Sequence, residues 1–109
     1  MGLTKSQIFT SDQNEIASFA KVLGHPARIA ILQHIIRQNN CICNDLVQEI
    51  GLAQATISQH LRELKNIGII HGTIDGTSVC YCINSEKWNE IQQKLGTLFT
   101  GFDKNTICC

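Results

Sequence analysis

Apolar positions along the chain change period once, and that change divides it. Ile16, Phe19, Ala20 and Leu23 recur at helical spacing, with Ser11 or Asp12 placed to cap a first helix and Gly24 to close it. Pro26, the only proline, stands where a second helix begins, since a first-turn residue needs no N–H donor. Ile29, Leu32, Ile35 and Ile36 provide that helix with a buried face, and Arg37-Gln38-Asn39-Asn40 ends it. A short third helix is expected from Asn44 or Asp45 through Leu46, Val47 and Ile50, broken at Gly51. A fourth covers roughly 54–67, with Ile57, Leu61 and Leu64 inward and Gly68 as its C-terminal cap.

Beyond Gly68 the period falls to two. Asp75-Gly76 lies between two alternating β-branched runs, the pattern of a two-residue hairpin turn. That turn would pair Ile74 with Thr77, Thr73 with Ser78, His71 with Cys80 and Ile69 with Cys82. Ile70, Ile74, Val79, Tyr81 and Ile83 would then face the core, and His71, Cys80 and Cys82 the other side. Ser85 is placed to cap a last helix whose stripe is Trp88, Ile91, Leu95, Leu98, Phe99 and Phe102. So long an aromatic stripe on a terminal helix suits packing against a partner.

The order is helix-helix-helix-helix-strand-strand-helix, mainly α with a β-hairpin: a winged helix-turn-helix that dimerises through its first and last helices. The domain spans 11–102, after an N-terminal arm over 1–10 expected to be flexible and before a cysteine-containing tail over 103–109.

Composition narrows the class. With 109 residues, 43% hydrophobic and 17% charged, the chain reads as one globular domain. It has no apolar run of membrane-spanning length and no apolar leader near its first residue, so a cytoplasmic protein with no membrane partner is expected. Nine Lys and Arg balance nine Asp and Glu. Zero net charge counts weakly against nucleic-acid binding, although a dimer can still present a local basic face. The chain contains no nucleophile-base-orienter set and no glycine-rich phosphate loop, so neither an enzyme nor an organic cofactor is expected.

On the fourth helix, the outward positions are Gln54, Ala55, Thr56, Ser58, Gln59 and Arg62. Gln pairs with adenine in the major groove and Arg with guanine, Thr and Ser reach phosphates or bases, and a small Ala permits close approach. His60 belongs either to this face or to the packing beneath it. A solvated polar surface would carry the same residues.

Three segments, "LGHPARIAIL", "LAQATISQHLRELKNIGII" and "GTSVCYCI", make the chain resemble the ArsR/SmtB family of metal-sensing bacterial repressors from about Ile16 to Phe99. The resemblance implies a homodimer that occupies double-stranded operator DNA and leaves it when an inducer binds. It makes the fourth helix the recognition helix, so that Gln54, Ala55, Thr56, Ser58, Gln59 and Arg62, with His60 if it faces outward, are the candidate DNA-binding residues. Two features depart from the family. The wing tip "IDGTS" lacks Lys and Arg, which counts against minor-groove contacts, and "SEKWNEIQQKLGTLF" lacks the histidine that the family's last-helix zinc site needs.

Six cysteines fall as Cys41/Cys43, Cys80/Cys82 and Cys108/Cys109. Bridges between such close neighbours would close strained loops, so metal binding or redox sensing is expected in place of structural disulfides. "CICNDL" resembles the family's arsenic-type site at the start of the third helix, with Asn44 inserted. Cys41 and Cys43 are therefore candidate ligands for a thiophilic inducer, As(III) or Sb(III) first, with Cd(II) or Zn(II) as further candidates. Two thiolates are too few, and Cys108 and Cys109 are candidate additional ligands, or else a tail without a role. Cys80 and Cys82, with His71 opposite Cys80, form either a second small site or ordinary strand positions. Two other functions stay open: a thiol redox or persulfide sensor on the same fold, and a protein-interaction or metal-buffering module with little DNA binding.

Overall fold

The computed structural model describes residues 5–43, 49–73, 80–103 and 105. The expected N-terminal arm carries one helical turn, α1 (Lys5–Ile8). Helix α2 (Ser11–Leu23) is capped by Thr10, one residue before the first expected cap: Thr10 Oγ1 accepts from the Gln13 N–H, and Gln13 Oε1 accepts from the Thr10 N–H, both at 3.0 Å. A Thr-x-x-Gln box satisfies two end groups reciprocally, which a lone Ser11 or Asp12 would not. Helix α3 (Pro26–Arg37) has His25 as its N-cap, whose Nδ1 accepts from the Ala27 N–H at 3.1 Å, with Pro26 in the first turn.

After α3 the chain does something the hydrophobic pattern does not announce. Asn39 and Asn40 adopt φ of 62° and 74°, the left-handed region that asparagine tolerates. They turn the backbone directly into a strand, β1 (Cys41–Cys43). The third helix expected from Asn44 or Asp45 through Leu46 and Val47 lies outside the described residues, although 49–50 are helical. The fourth helix of the pattern follows as α4 (Gln54–Asn66). It ends in a Schellman arrangement: Gly68, at φ 85°, donates to Lys65 O at 2.9 Å, and Ile69 donates to Leu64 O at 3.2 Å.

Strands β2 (Ile70–Thr73) and β3 (Cys80–Ile83) complete a three-stranded antiparallel sheet in the order β1-β3-β2. The register of β2 against β3 differs from the expected one by two residues: Ile70 faces Ile83, His71 faces Cys82, Gly72 faces Tyr81 and Thr73 faces Cys80. The Asp75-Gly76 turn, Ile74 and Val79 lie outside the described residues. Gly72 explains much of the shift. Its φ is 129°, and a Cβ there would come within 2.7 Å of Tyr81 Cα. Only glycine can stand opposite Tyr81, and a reading based on the turn alone does not see that constraint. Gly72→Ala should lower the unfolding free energy by about 1–3 kcal/mol. An unchanged urea midpoint would mean that the two strands are not held this closely.

Because a two-residue shift preserves facing, Ile70 and Tyr81 are still buried and Ile42 joins them from β1. Behind the sheet lie Ile31, Leu32 and Ile35 of α3 and Ile57, Leu61 and Leu64 of α4, all buried in one cluster with Phe19, Val22 and Ile91. The sheet touches α3 through β1 and β3, and α4 through β2.

Helix α5 (Ser85–Thr100) is capped by Asn84, not Ser85: Asn84 Oδ1 accepts from the Lys87 N–H at 3.3 Å. Lys94 on α5 bridges Asp12 and Glu15 of α2 at 2.9 and 2.6 Å, tying these two helices together. Ile29 and Ile36, expected on the buried face of α3, are exposed and line an open apolar cleft with Trp88 and Leu95. The core needs only the Ile31-Leu32-Ile35 side of that helix. Among the described residues, no helix is long and apolar enough to cross a membrane.

Candidate nucleic-acid interface and thiol face

The amphipathic pattern of α4 sets out its two sides. Gln54, Ala55, Thr56, Gln59 and Arg62 are exposed and Ser58 is half-buried. Two of these side chains are held along the helix: Gln54 Nε2 donates to Ser58 Oγ at 3.3 Å, and Gln59 Nε2 donates to Glu63 Oε1 at 3.4 Å. Both bonds are long and exposed, so either amide can exchange its partner for a base edge at little cost.

His60 is not on this surface. Its side chain is 7% exposed, so the packing alternative applies and the outward one is corrected. Nδ1 of His60 accepts from Arg28 Nε at 3.1 Å, and the ring lies 4.4 Å from that of His25. Arg28 Nη1 also donates to Val22 O at 3.0 Å. This cluster fastens the back of α4 to the start of α3, a role for Arg28 and His25 that the helical stripes do not reveal. A nitrogen that accepts from a guanidinium belongs to a neutral ring.

Burial, with the neighbouring His25 and Arg28 charges, depresses the His60 pKa below its ordinary 6.5. Stability from the neutral ring is therefore fully present above pH 6.5 and is lost as the pH falls through the depressed folded value. Thermal unfolding should shift to lower temperature between about pH 7.5 and about pH 5, and His60→Gln, which keeps an acceptor for Arg28, should flatten that dependence. Parallel melting curves for the two proteins across this range would show that His60 is not the titrating group.

The opposite face of the sheet carries the thiol chemistry. Pairing of β1 with β3 sets Cys41 opposite Cys82, Ile42 opposite Tyr81 and Cys43 opposite Cys80. Ile42 and Tyr81 point into the core, so all four cysteines point out. They are joined as Cys41–Cys82, Cα atoms 4.0 Å apart, and Cys43–Cys80, Cα atoms 4.2 Å apart. His71 stands beside Cys82 in the next strand, where it had been expected beside Cys80.

The expectation that these cysteines would not bridge is thus corrected. The strain objection holds for bonds between sequence neighbours, whereas these bonds span separations of 41 and 37 residues across paired strands. Cys41 and Cys43 also stand on a strand, not on a helix entry. A signal was present: both pairs have Cys-x-Cys spacing, the period that turns two side chains to one face of a strand. Cys108 and Cys109 lie outside the described residues.

In this disulfide-paired form, no group of three or more His, Cys, Asp or Glu could hold a metal ion among the described residues. Reduction changes the donor set. It would free four soft thiols on one face of a small sheet.

Comparison with known proteins places these features. Residues 25–71 match the family model described as "Bacterial regulatory protein, arsR family". The cadmium resistance transcriptional regulatory protein CadC of Listeria innocua is 31% identical over 84 residues, covering 76% of this chain and 70% of that one. The arsenical resistance operon repressor of Staphylococcus xylosus is 29% identical over 94 residues, covering 86% of this chain and 88% of that one. An uncharacterized HTH-type transcriptional regulator of Mycobacterium tuberculosis is 34% identical over 67 residues, covering 62% of this chain and only 59% of its own length.

Proposed function

We propose that this chain, which belongs to the arsR family of bacterial regulatory proteins, is a homodimeric repressor that releases operator DNA when a thiophilic ion binds its outer sheet face. What carries this is the convergence of Cys41, Cys43, Cys80 and Cys82 on one side of a sheet whose other side packs on α3 and α4. As(III) is the first candidate inducer: Cys41 and Cys43 supply two thiolates, and a β3 cysteine supplies the third that a two-residue motif lacks. Two relatives support a soft ion, being named for cadmium and arsenical resistance.

The mechanism follows from what the sheet touches. An ion held by Cys41, Cys43 and a β3 cysteine would displace the thiol protons and place a load on β1 and β3. β1 leads into the helix-turn-helix, and β2 meets the end of α4, where Lys65 Nζ donates to Gly72 O at 2.7 Å. A change of sheet curvature therefore reaches the C-terminal end of α4. In a dimer two copies of α4 enter successive major grooves about 34 Å apart, so a small tilt of each spoils the spacing. Gln54, Ala55, Thr56, Ser58, Gln59 and Arg62 make the contacts.

Release of labelled duplex, selected by the reduced protein from a random pool, should occur at far lower arsenite or antimonite than Zn(II). A complex that survives arsenite, antimonite and Cd(II) alike would sink the sensing role. Gln54→Ala and Gln59→Ala should each weaken binding to the selected duplex by about 1–3 kcal/mol while sparing binding to random duplex. Equal losses on both duplexes would assign these residues to the phosphates.

A further inference from the structure

We propose that the same four cysteines form a second, oxidative switch: closing Cys41–Cys82 and Cys43–Cys80 locks the protein in its DNA-holding form and makes it deaf to the ion. The deafness rests on the ion-sensing role proposed above, and the lock on its DNA binding and strand shift; the bond pattern rests on neither.

Partner choice is set by the strand ladder. Each cysteine of β1 has one neighbour directly across in β3, with Cα atoms 4.0 and 4.2 Å apart, and the buried Ile42 and Tyr81 fix the register between the two pairs. The Ile83 N–H also donates to Asn40 O at 2.9 Å, continuing the ladder past Cys41. Slipping by one residue would turn Ile42 out of the core, so shuffled bonds are disfavoured by the same burial that folds the sheet. Cys41, Cys43 and Cys80 are exposed and Cys82 is half-buried, so a small oxidant reaches every pair.

The oxidant is a hydroperoxide. One thiol of a pair attacks a peroxide oxygen; an S–O bond forms, the O–O bond breaks, and the departing hydroxide of hydrogen peroxide, or alkoxide of an organic hydroperoxide, takes the thiol proton and leaves as water or alcohol. The facing thiol then attacks that sulfur; the S–S bond forms, the S–O bond breaks, and water leaves. Each bond moves two electrons from sulfur to one peroxide, and a dithiol reductant reverses it.

The lock follows from the backbone. With both bonds closed, α4 stays seated through buried Ile57, His60, Leu61 and Leu64 and its outward face stays exposed. The bonded form thus keeps the reader seated, and its two bonds staple the strands whose shift is proposed above to release DNA. The arithmetic of ligands adds to this. One disulfide leaves two thiols on the face, fewer than a three-thiolate ion needs, so a single equivalent of peroxide already silences the response.

The test uses the reduced full-length chain, treated with hydrogen peroxide without metal, alkylated and mapped by peptide mass. Operator affinity and arsenite release are measured before and after. Cys41–Cys82 and Cys43–Cys80 peptides, an operator Kd unchanged within about threefold, and loss of arsenite release restored by dithiothreitol are expected. Cys80→Ser with Cys82→Ser should form neither bond. A map dominated by Cys41–Cys43, Cys80–Cys82 or tail bonds overturns the pairing. Release of DNA by peroxide itself overturns the lock. If the reduced protein ignores arsenite, the metalloid-sensing role fails and the deafness with it, while the map and the oxidised Kd still decide the pairing and the lock.

Discussion

Replacing Cys41 and Cys43 together by serine is expected to abolish release of DNA by arsenite while leaving both the fold and DNA binding in place. The two effects separate because β1 divides its labour. Ile42 carries the burial, at 6% exposure, and both cysteine side chains point to solvent. Serine in their place therefore loses little packing. It does lose the chemistry, since a hydroxyl stays protonated near neutral pH and is a poor ligand for a soft ion. Only Cys80 and Cys82 would remain on the face, too few for three-coordinate arsenic. Cys80→Ser with Cys82→Ser also leaves only two thiols on the face and should abolish release as well, through loss of the third ligand. Anisotropy of a labelled duplex against arsenite reads both. A Cys41/Cys43 double variant that releases DNA at the parent's arsenite concentration would place the sensor elsewhere.

The cross-strand pairing of the cysteines could not be reached from hydrophobic periodicity, and the reason is local. Three residues make too short a strand for alternation to register, and the two left-handed asparagines that aim β1 at β3 look like an ordinary helix end. Helices α2 to α5 were legible because each buries a stripe long enough to average over errors. Their first residues were less so: Thr10 and Asn84 displaced Ser11 and Ser85 as caps, since neighbouring polar residues compete for one site. His60 shows the opposite case. Its polarity suggested the outer face, but its position, three residues after Ile57 and four before Leu64, put it on the buried side, where Arg28 satisfies it. The strand register failed for a backbone reason, the close approach at Gly72, which no side-chain pattern encodes. The outward positions of α4 were legible, because polar residues at helical spacing on a sharply amphipathic helix leave few alternatives to exposure.

The second large effect concerns assembly. Leu98→Asp with Phe99→Asp is expected to convert a dimer into a folded monomer. In the single chain Leu98, Phe99 and Phe102 are exposed by 56, 74 and 74%, at the end of a helix whose earlier residues Trp88, Ile91 and Leu95 pack on their own core. Ile8 and Phe9 add exposed apolar surface before α2, and Lys94 ties α2 to α5 through Asp12 and Glu15. Leu95 is a poorer probe, because half of its side chain already serves the fold. Charges at 98 and 99 cost a monomer little. In a two-fold interface each would be buried without a partner, and each appears twice, so the dimer loses several kcal/mol. Sedimentation should show one chain with helical circular dichroism and an unfolding midpoint close to that of the parent's dissociated form. Operator affinity should fall by orders of magnitude, because one α4 reads one half-site and loses the second groove. A stable dimer at micromolar concentration would move the interface off the end of α5 and leave those three exposed side chains to be explained by another contact.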